Sequence, residues 1–170
     1  MVISGVNEFI VQAVILGVGA TVVMDAWALF QRHVLGVPTL NYAMVGRWLG
    51  RMTYGEFAHA SIADASDVKG ETVLGWGAHY LIGILFAAIL IAVVGEKWLS
   101  APTLWPAVMA GVISVSAPFL IMQPAFGLGV AAAKMPSPLK ARIRSVITHV
   151  IYGLGLYLTA LLMQYVSDSF

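Results

Sequence analysis

Four polar residues in otherwise apolar stretches carry side chains that can do chemistry: Asp25, His79, Gln123 and His149. Asp25 stands in GVGATVVMDAW, inside a run that otherwise has no charge from Phe9 to Phe30. An ionisable group in such a run is costly, and this makes it a functional-site candidate. Two imidazoles from different helices can ligate haem iron, or can bind a metal ion with Asp25 as a third ligand. Asp25 can instead hold the proton on a ring nitrogen. A carboxylate beside an imidazole can also pass protons or act as an acid–base pair. The plainest role is a hydrogen bond joining two helices, contributing about 0.6 to 2 kcal/mol.

The elements that position these residues are set by hydrophobicity. The 170 residues are 60% hydrophobic and 10% charged, where soluble domains carry about 25% charged residues. A soluble domain of this size cannot hide so much apolar surface, whereas a bilayer takes the place of water around it. Spanning takes about 20 mostly apolar residues. Four stretches qualify, at residues 9–30, 72–94, 104–125 and 146–165. The fold expected is therefore all-α: a polytopic membrane protein, a four-helix bundle in one domain over residues 1–170. The N-terminal MVISGVNEF has no Lys or Arg and leads into a long apolar run. It reads as a retained helix and not as a cleaved signal peptide.

Basic residues set the expected orientation. Arg32, Arg47, Arg51 and Lys69 follow the first helix, and Lys134, Lys140, Arg142 and Arg144 follow the third. Only Lys97 falls on the other side. That side bias makes both long loops cytoplasmic and places both termini outside. Trp27, Trp48 and Trp76 then belong to the inner aromatic belt, and Trp98 and Trp105 to the outer one.

The first loop, residues 31–71, is too long for a bare connector. Pro38 ends the first helix, and Thr39 or Asn41 can cap a new one. Val45, Trp48, Leu49 and Met52 recur at helical spacing, with Arg47 and Arg51 on another face. This predicts an amphipathic helix at the inner leaflet. Arg47, Arg51, Glu56 and His59 then form a candidate cytoplasmic entrance.

Stripes of small residues place the polar groups inward. They run Ala13, Gly17, Thr21, Asp25 on the first helix, Gly75, His79, Gly83, Ala87 on the second, and Ser145, His149, Gly153 on the fourth. The third is less regular, with Gly111, Ser114, Ser116, Pro118 and Gln123. Asp25, His79, Gln123 and His149 each lie about one to two turns from the inner end of their helix. The spacing predicts one polar layer in the inner third of the membrane. HYLIG from His79 resembles HVIYG from His149, and PTLNYAMVG resembles PTLWPAVMAG. Both a two-plus-two duplication and convergence of apolar helices account for the likeness.

Several classes are excluded. No cysteine is present, so disulfides, thiolate metal sites, iron–sulfur clusters and c-type haem are absent. The net charge of +1 and the lack of a basic run argue against nucleic acid as a partner. No HExxH, phosphate loop or Ser–His–Asp arrangement occurs, which favours a non-enzymatic role.

The motifs GVGATVVMDAW, VGRWLGRM with GEFAHASI, ETVLGWGAHYLIGILFA, APFLIMQPAFGLGVAAAK and RSVITHVIYGLGLYL, in that order, resemble the small bacterial membrane proteins grouped as domain of unknown function 2938. The resemblance runs from about Gly17 to Leu158. It implies a four-helix bacterial inner-membrane protein, and carries over no substrate or catalytic residue.

The expectation is a small inner-membrane carrier, channel or accessory component. Asp25, His79, Gln123 and His149 line its polar site, the lipid bilayer surrounds it, and a small ligand or ion of unknown identity occupies it. Glycine-rich faces favour a homo-oligomer. The alternatives are a metal- or haem-binding membrane protein using His79 and His149 with Asp25, and a structural or assembly partner whose polar residues only join helices.

Overall fold

Four helices in the computed structural model are long and apolar enough to cross a bilayer, spanning Gly5–Val34, Glu71–Val94, Leu104–Ala125 and Pro138–Asp168. The structure describes residues 2–169, with side chains from residue 5 onward. Among the described residues it is all-helical, without strands. The helices are α1 (Val2–Val34), α2 (Tyr42–Met52), α3 (Glu71–Val94), α4 (Lys97–Ser100), α5 (Leu104–Ser114), α6 (Gln123–Ala125) and α7 (Pro138–Asp168). The chain is a multi-pass protein of the bundle-forming, all-α type.

The helix ends depart from the apolar stretches for identifiable reasons. α1 runs on past residue 30 until Gly36, at φ +63°, turns the chain. The Val37 N–H then reaches back to the Gln31 carbonyl at 3.0 Å, a glycine-dependent stop with Pro38 just beyond it. α7 begins at Pro138, eight residues before the apolar stretch. Proline suits a first helical position, and the helix continues through Lys140, Arg142 and Arg144, which backbone hydrogen bonding tolerates and hydropathy does not count. The third span is not uniform. Pro118 has no N–H for the Ser114 carbonyl, and the chain passes through a five-residue π-helix, Pro118–Met122, before α6.

Two compact units make up the chain. The first holds α1 through Val37, Tyr80–Ser114 and the chain from Thr148. Its core is Leu16, Ala20, Ala87, Ile91, Leu156 and Ala160, all essentially buried. Its helices approach closely at small residues. Gly17 lies against the backbone of Gly83 and Ile84, and Gly111 against the His149 carbonyl and Gly153. α1 and α5 are each antiparallel to α7, as shown by Gly19 meeting Thr159 while Gly155 meets Ala20, and by Ala107 meeting Gly153 while Ser114 meets His149.

The second unit holds Pro38–His79 and Val115–Ile147. Its core is Val45, Ile62, Ala125 and Phe126. α2 is capped by Asn41, whose side chain accepts the Ala43 N–H at 3.0 Å. The buried face of α2 is Val45, Gly46 and Gly50, so this amphipathic helix is packed against protein along its glycine edge. A Cβ on Gly46 would overlap the Glu71 carbonyl oxygen, and a Cβ on Gly75 would overlap that of Tyr42. The two glycines let α2 and the start of α3 touch backbone to backbone. The segment after α2 lies on the α6 turn: the His59 N–H donates to the Ala125 carbonyl at 2.8 Å and the Ile62 N–H to that of Phe126 at 3.2 Å. The Trp48 indole donates to the Phe57 carbonyl at 2.9 Å.

Two glycines on one helix separate packing from propensity. Gly75→Ala is expected to cost at least about 2 kcal/mol, because backbone must move. Gly77→Ala, with nothing within 4 Å of the added carbon, is expected to be neutral or slightly stabilising, since alanine is the better helix former. Thermal melts of the two variants in detergent check this; equal midpoints would contradict the α2–α3 contact.

Candidate functional site

In the first unit the polar groups build outward from a neutral contact. The Thr21 hydroxyl donates to the Gly17 carbonyl at 2.7 Å and packs on Gly83, where an added Cβ would overlap it. The Tyr152 hydroxyl, on a buried ring, donates to the Gly83 carbonyl at 2.6 Å. Thr21, Gly83 and Tyr152 therefore bring α1, α3 and α7 together at one level. Residues three or four apart share a helix face. One turn on, about 5.4 Å, the same faces carry Asp25, Tyr80 and His149. α1 is antiparallel to the other two helices, so all three side chains step in the same direction.

The hydrogen bonds agree with this level. The Tyr80 hydroxyl donates to Asp25 Oδ2 at 3.0 Å. His149 Nδ1 lies 2.7 Å from Ser114 Oγ, and Ser114 Oγ donates to the Gly111 carbonyl at 2.7 Å. Ser114 is 1% exposed, whereas Asp25, Tyr80 and His149 are partly exposed. The layer thus holds a carboxylate and an imidazole, each bonded to a hydroxyl from a neighbouring helix. Such a set can bind a small polar ligand or cation, or take up and release a proton.

Tyr80 is the member that the sequence did not single out; Ser114 was placed on the inward stripe of the third helix. A signal for Tyr80 was present: it lies three residues before Gly83 and so shares the close-packed face. Tyr152 also bonds the Gly83 backbone.

The other candidates lie in the second unit. His79 Nε2 is 3.0 Å from the Tyr42 hydroxyl. Its ring stacks on Tyr42 at 4.2 Å and meets the edge of Trp76 at 5.8 Å. Gln123 is 6% exposed and directly follows the π-helix. Gln123 Oε1 and His59 Nε2 are both buried without a hydrogen-bond partner among the described residues. Among the described residues, no group of three or more His, Asp or Glu side chains is arranged to hold a metal ion.

Arg47, Arg51 and Glu56 are held in ion pairs. Arg47 grips both oxygens of Glu71, at 2.9 and 2.8 Å. It also lies 2.6 Å from Asp67 and donates to the carbonyls of Ala63 and Ala65. The hydrogen bonds to Glu71, and next the negative charges of Glu71 and Asp67, outweigh desolvation and hold the Arg47 guanidinium above its ordinary range. It stays charged at every pH at which the protein is handled. Arg51 makes the same two-pronged contact with Glu56, at 2.8 and 2.7 Å.

Fold and layer together define a class: multi-pass helical proteins with ionisable groups on membrane-length helices. Within that class, the chain belongs to the family described as protein of unknown function (DUF2938), whose model matches residues 14–163. No curated protein and no solved structure matches it.

The Arg47 clamp gives a prediction. Arg47→Ala leaves the Glu71 carboxylate, 16% exposed, with the Val68 N–H as its remaining bond from this cluster. The expected loss is about 1–3 kcal/mol. Arg47→Lys should recover only part of it, because an ammonium cannot make the fork. Chemical or thermal denaturation in detergent reads both; an unchanged Arg47→Ala midpoint would contradict a structural clamp.

Proposed function

We propose that the chain is a small carrier or channel component of the bacterial inner membrane. Its layer of Asp25, Tyr80, Ser114 and His149 takes a small polar ligand or ion from the cytoplasmic side. The observation that carries this reading is a carboxylate and an imidazole at one level of the first unit, one turn from a contact that already joins the helices. Thr21 and Tyr152 make that contact with neutral hydroxyls. A charged side chain at mid-membrane costs about 2.5–3.5 kcal/mol on insertion scales, so neutral residues would join these helices at less cost. Asp25 and His149 exceed what packing requires.

The side assignment rests on charge. Eight of the nine Lys and Arg residues fall between the first and second or the third and fourth apolar stretches, at residues 31–71 and 126–145, which the positive-inside rule assigns to the cytoplasm. Arg47, Arg51, Glu56 and His59 are then cytoplasmic, and both termini periplasmic. The neutral contact one turn away favours a second reading, in which the layer only extends the joint between helices as a dry structural seam.

Water separates the two readings, and the absence of cysteine makes the experiment clean. Tyr80→Cys and Leu81→Cys are placed singly, and inverted vesicles are treated with a membrane-impermeant thiol reagent. Leu81 is 66% exposed and adjoins Tyr80, so it is a depth-matched control facing lipid. The proposal predicts labelling at position 80 and none at 81. Position 80 as unreactive as 81 would mean a dry seam and would overturn it.

A further inference from the structure

We propose that the layer handles protons, with His149 Nε2 as the atom that accepts and releases them and Ser114 as the residue that positions it. This rests on the reading of the layer as a functional site, and names what it carries.

The assignment follows from counting hydrogens at Ser114. Its hydroxyl has one proton and lies 2.7 Å from two groups, the Gly111 carbonyl oxygen and His149 Nδ1. The carbonyl oxygen can only accept. If the hydroxyl gave its proton to Nδ1, two oxygens carrying only lone pairs would face each other at 2.7 Å inside a buried site. With the hydroxyl proton on the carbonyl, Nδ1 must itself carry a hydrogen and donate it to Ser114 Oγ. All three atoms are then satisfied. Ser114 is 1% exposed, so water does not replace either bond readily.

An imidazole protonated at Nδ1 has its lone pair on Nε2 when neutral. The chain thus fixes which nitrogen is basic. Uptake forms an N–H bond at Nε2 and breaks an O–H bond of a hydronium ion or water. Release is the reverse. Ser114 Oγ accepts from Nδ1 in both states, so its bond needs no rearrangement. Within the unit, the titratable groups at the level of His149 are the Asp25 carboxylate on α1 and the Tyr80 phenol on α3, and Tyr152 lies one turn along α7. α5 contributes the neutral Ser114. The bond from Tyr80 keeps the Asp25 carboxylate from swinging away from that level.

The experiment is nitrogen NMR of the full chain, labelled with ¹⁵N-histidine and reconstituted in lipid vesicles. His149 is assigned by the signal lost in His149→Gln. The neutral ring is expected in the Nδ1–H form, and lowering the pH from about 8 to about 5, the range in which histidine serves as a switch, should convert it to the doubly protonated ring. Ser114→Ala removes the acceptor without adding bulk and should move the neutral ring toward the Nε2–H form usual in water. Ser114→Thr keeps a hydroxyl and should retain the Nδ1–H form. A wild-type ring in the Nε2–H form, or a tautomer unchanged in Ser114→Ala, would overturn the positioning role. A ring that never takes the second proton across that range would overturn proton handling. Thiol labelling at position 80 would still stand in that case, so failure here is distinguishable from failure of the aqueous site.

Discussion

Desolvation of ionisable side chains is the constraint on which this structure turns. In a segment with no other charge from Phe9 to Phe30, Asp25 must be met by a donor, because hydrocarbon offers none. The Tyr80 hydroxyl supplies one. That bond demands close approach of α1 and α3, and the approach is set about two turns back along α1, where Gly17 lies against Gly83 and Ile84. Larger residues at either glycine would separate the helices and strand the carboxylate. The small-residue contacts and the polar layer are therefore one device: glycine fixes the spacing at which the hydroxyls reach their acceptors.

The second unit solves a similar problem with full charges. Arg47 and Glu71 tie α2 to the beginning of α3, and Gly46 and Gly75 let the two backbones touch beside that pair. Both residues keep some access to solvent, which lowers the cost of pairing them. His79 is held by Tyr42 in the same unit. Gln123 and the His59 ring, by contrast, each bury a polar atom that no described group meets. Gln123 directly follows the π-helical stretch, the kind of local irregularity that concentrates at functional sites, and the His59 N–H bonds the Ala125 carbonyl just beyond it.

Much of this was legible in the sequence. The four spans stand out because bilayer thickness demands long apolar runs, and Asp25 and His149 stand out because charge is rare within them. Asn41 as a cap and Pro38 as a stop follow from backbone chemistry. The pairing of individual residues was less legible. A residue advances about 100° around a helix, so a stripe of spacing four drifts by about 40° at each step. The stripe Gly75, His79, Gly83 therefore does not keep one partner: Gly75 meets α2, whereas Gly83 meets α1. His79 turns to Tyr42, and its neighbour Tyr80 bonds Asp25. Hydropathy also hides the start of α7, because Lys140, Arg142 and Arg144 are helical without being apolar.

Proton equilibration across vesicles tests the central claim most directly. Purified protein is reconstituted in liposomes carrying a pH-sensitive dye, an acid jump is applied outside, and the approach to equilibrium is followed. The account predicts that wild-type vesicles equilibrate faster than empty ones, and that Asp25→Asn and His149→Gln return to the empty-vesicle rate while eluting as folded protein in size-exclusion chromatography. Wild-type vesicles indistinguishable from empty ones, or folded variants as fast as the wild type, would contradict it.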